Sequence, residues 1–203
     1  MALERKKTLN VFKEAQHAWG SYDDYPVGPR GTDPMPYLSR NRVPQPFFLV
    51  CAEDQVLIQM AGEGEIELMD EGDGDELSAS DLGDRRGKGP RRVRLVPGDT
   101  VYVPAGVPSR LVPRGENLQL RLKAEPPAAE AVAWYCRGCG ELVHARALDG
   151  GALHDEYWHA VEVFNADAGL RRCPGCEQVH PPVDLGDIAW REVADALRAE
   201  DQA

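Results

Sequence analysis

Between Phe47 and Lys123 short alternations of apolar and polar residues recur, each closed by turn-forming residues. The runs QVLIQM, GEIELM, RVRLV, DTVYVP and LQLRLK predict short strands. No helical spacing separates them, so the pattern predicts a sandwich or barrel, not strands alternating with helices. Helical spacing is confined to the ends. TLNVFKEAQHAWG (residues 8–20) places Phe12, Ala15 and Trp19 on one face, with Asn10 as cap and Gly20 as stop. DLGDIAWREVADALRAEDQA at the C-terminus carries the stripe Trp190, Val193, Ala194 and Leu197, with Asp187 as the expected cap. That stripe predicts a helix docked on the domain; a helix that takes a partner is the alternative.

The remaining segments break these patterns. Residues 21–46 are rich in Pro and Gly, show no periodicity, and are read as an extended arm. Residues 70–91 are acidic, then basic, with few large apolar side chains, and are read as a mobile loop between strands. AEPPAAEA, from Ala124, marks a boundary. The expected organisation is an N-terminal helix and arm (1–46), a barrel (47–125), and a small C-terminal module with a terminal helix (126–203).

Composition narrows the class. The 203 residues hold 34 acidic and 23 basic side chains, a net charge of -11, which argues against a nucleic-acid partner. No apolar run reaches membrane-span length and no signal-peptide core is visible, so the expected setting is the cytoplasm, without membrane attachment. In that reducing setting cysteine pairs read as metal ligands, not disulfides.

Four of the five cysteines form two C-x-x-C pairs, Cys136/Cys139 and Cys173/Cys176. Each pair suits a tight knuckle that offers two sulfurs to one ion, and two knuckles complete a tetrahedron. A closed four-thiolate site has no open position, so its role is expected to be structural. Zinc is the default ion and iron in a rubredoxin-like site the alternative. His144 and His180 follow the pairs and are read as packing or hydrogen-bonding groups, with ligation the alternative.

GDTVYVPAGVPSR (98–110) fits the second metal motif of cupin barrels, G-x5-P-x-G-x2-H, at Gly98, Pro104 and Gly106, but Ser109 stands at the histidine position. Counting back from Gly62 for the first motif, its ligand positions fall on Leu49, Cys51 and Gln55. The histidines are His17, His144, His154, His159 and His180, none within 47–123, so no barrel iron is expected. If Gln55 points inward, so do Leu57 and Gln59, and likewise Gln119, Arg121 and Lys123 in LQLRLK. That register makes a polar interior suited to a carboxylate. The opposite register buries the leucines and solvates the polar residues.

WYCRGCGELVH (134–144) and RRCPGCEQVHP (171–181) resemble the C-terminal cysteine module of bacterial 3-hydroxyanthranilate 3,4-dioxygenases. The strand runs and the arm YPVGPRG are compatible with the same family. The resemblance implies a mainly β, jelly-roll cupin, a homodimer, whose iron, held by two histidines and a glutamate, opens an aminophenol ring with dioxygen. Carried onto this chain, the iron-ligand positions are Leu49, Gln55 and Ser109. Arg42 and Arg114 fall near the arginines that grip substrate, and Arg121 at the substrate-binding glutamate. With Gln55 and Gln59 these are the candidate ligand-binding residues. The expected function is a dioxygenase-like cupin that has lost its iron centre and binds a small anionic or aromatic ligand or a protein partner, or performs metal-free chemistry through Arg121, Gln55 or Cys51. The alternative is an active iron dioxygenase.

Overall fold

A computed structural model describes residues 8, 10–69, 89–124, 130–148 and 152–202. Two antiparallel sheets face one another. The first has the order β1(Tyr25–Pro26), β2(Met35–Asn41), β9(Asn117–Lys123), β4(Gln55–Ala61), β7(Thr100–Val103). The second runs β11(Leu142–Ala147), β10(Glu130–Tyr135), β3(Phe48–Cys51), β8(Ser109–Pro113), β5(Gly64–Leu68), β6(Arg91–Leu95). This is the expected mainly β, jelly-roll arrangement, and every strand read from alternation is present. Three α-helices accompany it among the described residues, α1(Val11–Glu14), α2(Leu153–Ala166) and α3(Trp190–Asp201), with a 3-10 turn Ala15–His17 after α1.

Between the sheets lies an apolar core that includes Leu49, Leu57, Ile66, Leu95, Val103, Leu111 and Val132. β3 is buried on both faces, because Leu49 and Cys51 enter this core while Phe48 and Val50 join a second cluster with Met69, Ala133 and Tyr135. A strand covered on both sides has no polar residue to alternate, which is why its run carries no period of two.

Both boundaries drawn from the sequence cut through sheets. The segment read as an unpatterned arm supplies β2, which pairs with β9 along its whole length from Met35↔Lys123 to Asn41↔Asn117. Beyond the other boundary, β10 pairs with β3, with Val132 opposite Leu49. Most of the loop read at 70–91 lies outside the described residues, and Arg91 already belongs to β6.

The terminal helices cover part of the first sheet. Asn10 caps α1 as expected, accepting from the backbone N–H groups of Phe12 and Lys13. In α3, Trp190, Val193 and Ala194 are buried, and the Trp190 indole N–H donates to the Tyr22 carbonyl at 2.8 Å, so this helix is docked. Asp187 is not its cap. Ala189 holds that place without a side-chain bond, and Asp187 instead accepts from the Ser21 hydroxyl at 2.6 Å. The helix α2 was not read from the sequence, although His154, Tyr157, Ala160, Val161 and Phe164 are buried at helical spacing.

A buried polar cluster joins the two parts of the chain. The Lys123 ammonium of β9 donates to Glu130 Oε1 of β10 at 2.9 Å, the Tyr157 hydroxyl of α2 donates to Glu130 Oε2, and the Cys51 thiol of β3 lies 3.4 Å from Glu130 Oε1. Burial raises the Glu130 carboxyl, but Lys123 and the Tyr157 bond outweigh it and hold the group below the usual glutamate value. A carboxyl lowered by folding stabilises the fold above its unfolded value, and that contribution disappears as pH falls through the folded value. Removing one partner strands a buried charge, so Glu130→Gln and Lys123→Met are each expected to cost about 3–5 kcal/mol in urea unfolding. The double variant is expected to recover most of the loss; additive losses would show that the pair is not coupled.

Candidate metal centre and barrel interior

The hairpin β10–β11 and the loop after α2 each present one C-x-x-C knuckle. The two are built alike. Gly140 N–H donates to the Cys136 carbonyl and Glu177 N–H to the Cys173 carbonyl, both at 2.9 Å. The residue after each second cysteine takes a left-handed backbone, φ 77° at Gly140 and 62° at Glu177. This closure brings the sulfurs of Cys136, Cys139, Cys173 and Cys176 within 4.8 Å of one another. Across the knuckles, Cys136 Sγ is 3.6 Å from Cys176 Sγ and Cys139 Sγ is 3.4 Å from Cys173 Sγ. A tetrahedral ion with metal–sulfur bonds of about 2.3 Å needs sulfurs roughly 3.8 Å apart, so the residues fit such an ion.

The electrostatics agree. Burial raises the Cys136 thiol, but the N–H groups of Cys139 and Gly138 donate to its sulfur and hold it below the ordinary cysteine value. Cys139 accepts from the N–H of Glu141 and Cys176 from that of Gln178, yet crowding by the other sulfurs leaves both raised. Four thiolates this close ionise together only around a cation. His144 is not part of the set: its ring stacks on Trp134 at 5.8 Å. The His180 backbone N–H bonds to the Arg171 carbonyl, and its buried Nε2 has no hydrogen-bond partner among the described residues.

In the barrel the polar register holds. Gln55, Leu57 and Gln59 are buried while Val56, Ile58 and Met60 face outward half-buried. On β9, Gln119, Arg121 and Lys123 are buried, with Leu57 opposite Arg121 and Gln59 opposite Gln119. A chain of amides crosses the sheet: Asn41 Nδ2 donates to Gln119 Oε1 at 3.0 Å, Gln119 Nε2 to Gln59 Oε1 at 2.9 Å, and Gln59 Nε2 to the Ala61 carbonyl at 2.8 Å. Gln59 is thus fully engaged within the sheet.

The motif glycines keep their turn geometry, with φ 72° at Gly62, 97° at Gly98 and 74° at Gly106. At Gly62 any side chain would meet the Glu116 carbonyl oxygen at 2.4 Å, so the turn between β4 and β5 demands glycine. The ligand positions carry different chemistry. Leu49 lies opposite Ser109 across the β3–β8 pair, and the buried Ser109 hydroxyl has no hydrogen-bond partner among the described residues. Gln55 Oε1 accepts from Arg121 Nη1 at 2.9 Å. An alkyl group, a hydroxyl and an amide already bound to a guanidinium do not fit a centre of two histidines and a carboxylate. Cys51 is buried, and burial pushes its thiol up.

Of the candidate ligand-binding residues, the structure places Gln55, Gln59 and Arg121 on the inner face and brings Gln55 and Arg121 into contact. Arg42 lies outside it, paired with Glu116 at 2.9 Å and Asp187 at 3.8 Å, and Arg114 pairs with Glu65 on the surface.

Two facing antiparallel sheets with two clustered cysteine knuckles define a two-sheet β barrel with a candidate metal module. Comparisons with known proteins find partial similarity. The chain is 35% identical over 71 residues to 3-hydroxyanthranilate 3,4-dioxygenase of Jannaschia sp. (strain CCS1), covering 34% of this chain and 39% of the relative. It is 32% identical over 87 residues to that of Ruegeria pomeroyi, covering 41% and 48%. The chain thus spans less than half the length of these curated relatives. No protein-family model matches. Among solved structures, a cupin-2 domain protein from Shewanella frigidimarina aligns with a TM-score of 0.45 and 14% identity, over 59% of this chain and 96% of that one.

Because Cys173 is fully buried in the metal set, Cys173→Ser is expected to abolish retention of one ion per chain and to lower the melting temperature by on the order of 10 °C or more. Metal analysis and calorimetry read both; an unchanged melting temperature after metal loss would remove the structural role.

Proposed function

We propose that this chain is a dioxygenase-like cupin whose barrel no longer holds ring-opening iron, whose four-thiolate ion is structural zinc or iron, and which binds a small anionic or aromatic ligand. The observation that carries the reading is the Arg121–Gln55 pair. A buried guanidinium donates to the side chain at the carboxylate-ligand position, and a fixed positive charge there opposes a metal cation. Arg121 has no carboxylate partner among the described residues, which suits it to an anion. Metal-free chemistry through Cys51 is disfavoured, because a thiol raised by burial is a poor nucleophile.

The second reading, an active 3-hydroxyanthranilate 3,4-dioxygenase, is favoured by the names of the sequence relatives. Oxygen uptake separates the two. Protein incubated anaerobically with Fe(II) and then given 3-hydroxyanthranilate and air is expected to consume no oxygen above the iron blank. Turnover that scales with protein would establish the second reading.

The proposed assembly is a homodimer in the cytoplasm, where the thiols stay reduced. No described helix is long and apolar enough to cross a membrane. On the outer face of the first sheet, α1 and α3 cover Leu38 and Leu118, but Val56, Ile58 and Leu122 remain half-buried beside Tyr102, which is 57% exposed. A second copy burying this apolar patch would remove it from water. Light scattering is expected to show a dimer that Ile58→Lys converts to a monomer. A monomeric wild-type chain at high concentration would exclude it.

A further inference from the structure

Outside the barrel interior the chain has a hollow where the cysteine module meets the second sheet. A cavity of about 460 Å3 is lined by Arg92 of β6, Arg110 of β8 and Arg137 from inside the first cysteine knuckle. It adjoins a cleft of about 500 Å3 that shares Arg110, Arg137, Phe48 and Tyr135 as its wall. Both volumes are those of small-molecule sites.

Charge is unbalanced here. Glu67 is the carboxylate that answers these arginines: Arg92 Nε donates to it at 3.1 Å and Arg110 Nη1 lies 3.6 Å away. Arg137 has no carboxylate partner among the described residues. Three guanidinium groups therefore share one carboxylate, in a chain whose net charge is -11. Arg110 is largely buried and its Nε is fixed on the Gln45 carbonyl at 2.9 Å. Burial lowers its affinity for a proton; Glu67 opposes this, while the charges of Arg137 and Arg92 add to it. Neighbouring cations repel one another unless an anion joins them.

The cavity also has an aromatic wall. Phe48 and Tyr135 meet edge to face, with ring centres 5.2 Å apart, and the Arg110 guanidinium lies 5.8 Å from the Phe48 ring centre. The adjoining cleft is also lined by Asp184 and Asp187, the latter already tied to Ser21 and Arg42.

We propose that this cavity is the binding site for a small aromatic anion, its acid group held by Arg92, Arg110 and Arg137 and its ring against Phe48 and Tyr135. The proposal shares with the preceding reading only the kind of ligand, and it moves the site out of the barrel. Calorimetric titration of the metal-loaded full chain with phenyl phosphate, inorganic phosphate and phenol tests it. Phenyl phosphate is expected to bind more tightly than phosphate, phenol is expected to give no heat, and added salt is expected to weaken binding. Arg92→Ala and Arg137→Ala, both at exposed positions, are each expected to weaken it by about tenfold, the loss of one charge-assisted hydrogen bond. Arg94→Ala, at a surface arginine paired with Glu63 and outside this lining, is expected to leave it unchanged. Binding indifferent to Arg92→Ala and Arg137→Ala would overturn this site and keep the ligand-binding reading. No binding of any probe to the wild-type chain would overturn both.

Discussion

The pleat of β4 against β9 constrains everything the barrel can do. Side chains alternate across a strand, so once Gln55 faces inward, Leu57 and Gln59 must follow, and the register with β9 then brings Gln119 and Arg121 to the same face. A slip by one residue would turn Val56 and Leu122 inward and expel the guanidinium. The polar face is tolerable because its amides satisfy one another from Asn41 through Gln119 to Gln59. The same face places Arg121 beside Gln55, where a carboxylate would be needed to hold iron. The turn glycines keep their left-handed turns at either side of this pair.

The cysteine module is not an appendage in energetic terms. Its strand β10 extends the second sheet, and Glu130 at the start of that strand closes the buried cluster with Lys123, Tyr157 and Cys51. Trp134, two residues before Cys136, stacks on Phe164 of α2 at 4.2 Å and donates its indole N–H to the Pro46 carbonyl. An ion at the four sulfurs would fix the knuckles, the knuckles the hairpin, and the hairpin covers the barrel. Its binding free energy would then be folding free energy for much of the chain.

Much of this was legible in the residues. The two C-x-x-C pairs announced their site, because spacing within a knuckle is a local property. The strands with one polar face announced themselves by alternation, though not which face was the inner one, since that depends on partners distant in sequence. β3 was obscured by burial on both sides. In β2, Pro36 and the surrounding Pro/Gly-rich run argued against a strand. The helix α2 carried a readable spacing from His154 to Phe164 that the neighbouring cysteines overshadowed. Convergence of Arg92, Arg110 and Arg137 could not be read, because two sheet strands and a knuckle supply them from far-separated positions.

The chain combines a two-sheet β barrel with four cysteines placed to hold an ion, and sets a guanidinium–amide pair within the barrel. Counting metal ions tests this most directly. Elemental analysis with X-ray absorption, after anaerobic loading with excess Fe(II) and desalting, is predicted to find one ion per chain with sulfur neighbours only. A second iron with nitrogen and oxygen neighbours, bound within the barrel, would contradict the account.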